Sequence, residues 1–128
     1  MNPLTREWVK KAEADFGTAQ REIRVRKNPN YDGACFHAQQ CVEKYFKARL
    51  LEAAIAFPHT HDLVALLKLI LPVEPLWAGL TVSANRLSQH AVKSRYPGSS
   101  VTKAQARDVV ARGKEIRKLV RHSLGLKP

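Results

Sequence analysis

The chain has 128 residues, enough for one domain that buries a core without disulfides or metal. An apolar fraction of 45% with only six glycines argues against disorder, no run approaches the roughly 18 apolar residues of a membrane span, and the opening MNPLTREWVKK lacks the apolar stretch of a secretion signal. The net charge of +11 points to a polyanionic partner: RNA, DNA, a nucleotide or an acidic protein.

Five helical segments are predicted and no strand. The first runs from about Thr5, read as its N-cap, to Lys27, with Trp8, Ala12, Phe16, Ala19 and Ile23 at helical spacing. Lys27–Asn30 breaks it, since Pro29 and the flanking asparagines favour a turn. The second begins near Tyr31–Gly33 and continues to about Ala54. Its seam is Ala34, Ala38, Cys41, Tyr45 and Ala48, small residues where a generic helix would carry leucine. Phe36, Val42, Phe46, Leu50 and Leu51 extend its apolar surface around the circumference, which predicts a helix central to a bundle. Gln39 and Gln40 need hydrogen-bond partners if buried. Cys35 and Cys41 suit neither a zinc site nor a disulfide within that helix and read as buried free thiols of a reducing cytoplasm.

Thr60 or His61 opens the third helix, with Leu63, Leu66, Leu67, Ile70 and Leu71 facing inward. Thr60 and Asp62 serve there as caps. A fourth is expected from about Glu74 to Val92. Trp8 and Trp77 fall at positions suited to core or dimer contacts. The loop Arg95-Tyr96-Pro97-Gly98 interrupts the helical run. Ser100 or Thr102 caps the fifth helix, which reaches about Ser123. Short links between long helices make the architecture an all-α antiparallel up-and-down bundle of four to five helices in a single domain, residues 1–128.

The fifth helix divides into faces. Ala106, Val109, Gly113, Ile116 and Val120 point inward. Lys103, Arg107, Lys114, Lys118 and Arg121 fall within about 60° of one another on a helical wheel. That stripe is either a track for phosphates or a solvated surface whose last residues complement the helix dipole. Arg95 and Tyr96 either hold a nucleotide by charge and stacking or fix their loop against the second helix. His59, His61, His37 and Cys35 lack the spacing of a ligand set, so no metal or other cofactor is expected.

Four fragments resemble the HEPN domain family, in particular the group found beside minimal nucleotidyltransferases. They are Trp8…Ala12…Asp15, Ala38-Gln39-Gln40…Glu43-Lys44…Lys47-Ala48, Thr60-His61-Asp62-Leu63 and Arg95-Tyr96-Pro97. The resemblance spans nearly the whole chain. It implies a HEPN-like bundle, usually homodimeric, that binds RNA or nucleotides. It also implies a minimal nucleotidyltransferase as partner, with this chain as the toxin of a toxin–antitoxin pair. Active members are metal-independent endoribonucleases carrying an Arg and a His four to six residues apart. Arg117 and His122 match that spacing, which implies Arg117 as phosphate stabiliser and His122 as acid–base. Lys118 follows the Arg where active members prefer an amide, acid or imidazole. Five residues is about 140° of rotation and about 7.5 Å of rise, so the two side chains do not share a face. The alternatives to an RNA-binding module are therefore that endoribonuclease and a non-catalytic scaffold for an acidic protein.

Overall fold

The computed structural model describes all 128 residues, Met1–Pro128. Five α-helices follow in order: α1 (Pro3–Arg24), α2 (Tyr31–Glu52), α3 (Leu63–Ile70), α4 (Thr81–Lys93) and α5 (Lys103–Ser123). None is long and apolar enough to cross a membrane. The expected all-α bundle is what forms.

The helix starts show local chemistry at work. Thr5 is not the cap of α1. Asn2 is, its side chain accepting from the Leu4 amide at 2.8 Å with Pro3 in the first turn, and Thr5 is buried within the helix. Asp62 caps α3 by accepting from the amides of Val64 and Ala65. Thr60 accepts from the Asp62 amide one step earlier. The expected fourth helix splits. Pro75–Leu80 forms a 3-10 helix, and α4 begins only at Thr81. Pro75 opens the tighter helix, and Gly79 close behind weakens any α-helical alternative. At α5 the Thr102 and Gln105 side chains reciprocally bond each other's backbone amides at 3.1 and 3.0 Å, a complete capping box.

Helix α2 is the central element and packs against α1, α3, α4 and α5. Ala34, Ala38, Cys41, Tyr45 and Ala48 are all buried, as the seam requires, and so are Cys35, Val42, Phe46 and Leu50. Asp15 ties α1 antiparallel to α2 through an ion pair with Lys44 at 2.5 Å and a hydrogen bond with His37 Nδ1 at 2.8 Å. At the α1–α2 turn, Glu22 accepts from the Asn30 amide at 3.1 Å. Helix α5 runs parallel to α2. Asp32 accepts from the Val101 amide at 2.9 Å near both N-termini, and Arg121 reaches Tyr45 further along. Gly113 sits between them over Ala38, so that two small residues let the backbones approach.

Both cysteines are free and buried. Burial, with the nearby Asp32 carboxylate, pushes the Cys35 thiol up to about 12. Burial raises Cys41 further still. At neutral pH both are inert thiols packed as small hydrophobes.

Candidate nucleic-acid interface

The antiparallel pairing of α1 with α5 decides what the basic face of α5 can do. Lys103, Arg107, Lys114 and Lys118 are exposed, as the wheel places them. At the N-terminal end of α5, Lys103 and Arg107 face the end of α1. There they line a cavity of about 380 Å³ with Ile23, Arg24, Val25, Arg26 and Tyr31. Arg24, Arg26, Lys103 and Arg107 make no ion pair and no side-chain hydrogen bond. Four uncompensated cations around a concave surface with an aromatic ring on its wall suit phosphate binding with base stacking. Arg24, Arg26 and Tyr31 were not singled out from the sequence. The signal that could have found them is the run Arg24-Val25-Arg26-Lys27 at a helix end.

The other end of α5 is occupied differently. Arg117 donates from Nε and Nη2 to the two oxygens of Glu13 on α1, both at 2.7 Å. Its guanidinium lies 4.5 Å over the Phe16 ring, and its side chain is only 13% exposed. Tyr45 donates to Glu13 at 2.5 Å and accepts from Arg121 at 3.0 Å. Arg121 Nε donates to the Lys127 carbonyl. Burial alone would raise the Glu13 carboxyl. Hydrogen bonds from Arg117 and Tyr45 and the charges of Arg117 and Arg121 outweigh it and hold the group below its ordinary value. The bond to Glu13 raises Arg117, while burial and that same carboxylate raise the Tyr45 hydroxyl. Arg121 thus leaves the stripe to join an internal network.

His122 is exposed and lines a separate groove of about 320 Å³ with Glu115, Lys118, Leu119, Leu126 and Pro128. Arg117 does not line that groove. The structure therefore sets Arg117 and His122 in different surroundings within one chain. For Arg117 to meet a phosphate it must first leave Glu13.

Arg95 and Tyr96 also part company. The Arg95 guanidinium lies 5.4 Å over the Phe36 ring of α2, which pins the loop to that helix. Tyr96 is exposed. The buried Gln39 finds its partners elsewhere, donating to the His61 carbonyl at 3.1 Å and to Glu43 at 3.3 Å, and Gln40 donates to Gln39.

An all-α bundle with one strongly basic helix face is thus the class to which this chain belongs. The HEPN domain family model matches residues 5–123. The chain belongs to the HEPN domain family, whose members are generally nucleotide- or RNA-related. Two solved structures are similar over almost their full length. The protein TT1696 from Thermus thermophilus shares 21% identity at a TM-score of 0.80, covering 92% of this chain and 96% of its own. ST0689, an archaeal HEPN homologue, shares 25% identity at a TM-score of 0.74, covering 94% and 97%. No curated protein matches the sequence.

Proposed function

We propose that this HEPN domain is an RNA- or nucleotide-binding module whose contact surface is the exposed face of α5 together with the cavity at the end of α1. The observation that carries this reading is the set of four unpaired cations, Arg24, Arg26, Lys103 and Arg107, around Tyr31. Lys114 and Lys118 continue the charge along α5. Family membership supports the nucleotide class. A homodimer and a minimal nucleotidyltransferase partner, with this chain as the toxin, complete the proposal on the strength of the motif resemblance.

The test is binding of a short single-stranded RNA by fluorescence anisotropy across a salt series. Affinity is expected to fall steeply with salt, and the Lys103→Gln/Arg107→Gln double variant to flatten the log–log slope by about 1–2. A double variant that binds as tightly as wild type, with the same slope, refutes the surface.

The endoribonuclease reading draws support from His122, exposed beside Lys118 in an open groove. It requires Arg117 to exchange Glu13 for a phosphate. Cleavage of RNA in EDTA that is lost in both Arg117→Ala and His122→Ala establishes it, and intact RNA under those conditions leaves the binding module.

A further inference from the structure

Three polar fragments from distant parts of the chain meet on the side of α2 that faces α4. Glu43 is the buried centre, its side chain 4% exposed. One oxygen takes His61 Nδ1 at 2.9 Å and Gln39 Nε2 at 3.3 Å, and the other takes Lys47 Nζ at 3.2 Å. A carboxylate facing an imidazole nitrogen places the proton on Nδ1, which leaves His61 Nε2 for another partner. Lys47 balances the charge of Glu43, so the cluster adds no net negative charge to its surroundings.

Beside this cluster lies a cavity of about 60 Å³ lined by Gln39, His61, Ser88, Ala91, Val92 and Arg95. A single water needs about 10–15 Å³ on such a measure, so the space holds roughly four to six water-sized atoms. That is the size of a tetrahedral oxyanion. The last four lining residues are spaced i, i+3, i+4 and i+7, so they share one face of α4 and its continuation. Ala91 and Val92 are the apolar part of the wall. The Ser88 hydroxyl is buried and has no hydrogen-bond partner. The Arg95 guanidinium makes no ion pair or hydrogen bond and lies 5.4 Å from the centre of the Phe36 ring. Gln39 has spent both amide hydrogens, and Glu43 does not line the cavity. The wall thus presents an unpaired cation, an unused hydroxyl and an imidazole held by Glu43 at Nδ1, with no carboxylate.

We propose that this cavity is a binding site for a tetrahedral oxyanion of the phosphate class. Arg95 and Ser88 donate to the anion. His61, positioned by Glu43, is the third contact: its Nε2 donates when the ring is protonated and accepts from a protonated phosphate oxygen when it is neutral. The site lies on α2 and α4 and stands apart from the basic track of α5.

The test is an NMR titration of the full chain at fixed ionic strength with inorganic phosphate and, separately, with adenosine 5′-monophosphate. Saturable shifts are expected at Ser88, Arg95 and His61. Loss of a charge-assisted contact in Arg95→Gln weakens binding about tenfold or more, and Ser88→Ala weakens it about threefold to fivefold. Lys68→Gln, at an exposed cation of α3 outside both surfaces, leaves the titration of the cavity resonances unchanged with either anion. Binding of either anion supports the site, and the tighter of the two says whether free phosphate or a nucleotide phosphate is its ligand. The proposal is overturned if neither anion shifts the cavity resonances saturably, or if folded Arg95→Gln and Ser88→Ala both titrate like wild type.

Discussion

Replacing Glu13 by glutamine removes the carboxylate that holds α1 to α5 while keeping the side chain's shape. Arg117 loses one of its two charge-assisted bonds outright, and the other becomes a bond to a neutral amide oxygen. Arg121 loses its 3.6 Å ion pair. A hydrogen bond to a charged group contributes about 1.5–3 kcal/mol. The partial exposure of this position and the bond that the new amide oxygen still accepts reduce the loss, so Glu13→Gln is expected to destabilise the fold by about 2 kcal/mol. For a domain of this size that is a fall in Tm of about 6–10 °C. The pH dependence has a definite sign. The folded Glu13 carboxyl is held below its ordinary value of 4.5, so its stabilisation is complete above that value and is lost as pH falls through the lower folded value. Urea denaturation of wild type and variant should differ fully at pH 7 and converge in acid. A gap below about 0.5 kcal/mol at pH 7, the scatter of an ordinary surface substitution, would refute the reasoning. So would a gap that persists unchanged into acid.

Gly113 faces Ala38 with room for a methyl group, since an added Cβ would sit 3.6 Å from the Ala38 Cβ. Gly113→Ala should therefore raise stability by about 0.5–1 kcal/mol through helix propensity, and Gly113→Leu should lower it, both read by thermal melts. Thr102→Ala removes half of the capping box and should cost about 1 kcal/mol, with faster amide hydrogen exchange confined to the first turn of α5. Cys35 and Cys41 should react with a thiol reagent only at the rate of unfolding, and reaction of the native protein at neutral pH would contradict their burial.

What the sequence disclosed follows from the range of the interactions involved. The start of α5 was legible to within two residues, because a hydroxyl residue before a periodic run marks a cap; Ser100 and Thr102 both offered one, and the reciprocal bonds with Gln105 decide for Thr102. The central role of α2 was legible because its small seam and broad apolar surface are properties of one segment. Thr5 misled because a threonine before a periodic run looks like a cap, whereas Asn2-Pro3 fills that role. The 3-10 turn after Glu74 was missed because proline and glycine weaken an α-helix without announcing what replaces it. The basic face of α5 could be read from periodicity, but the fate of Arg117 and Arg121 could not. Their carboxylate is 104 residues from Arg117, and only the alignment of α1 against α5 brings it there. The same holds for Glu43 and His61, whose meeting depends on where the link before α3 lands.

Glu22 and Asp32 flank the basic cavity in sequence, and each accepts a backbone amide of a neighbouring segment, Asn30 for one and Val101 for the other. Their oxygens are thereby turned toward the protein, and they tie down the turn after α1 and the approach to α5. The two carboxylates nearest the cavity in sequence serve as mortar for its rim. The segments that carry the four cations are thereby set in place on folding, which leaves only the side chains themselves to be ordered by a ligand of the proposed surface.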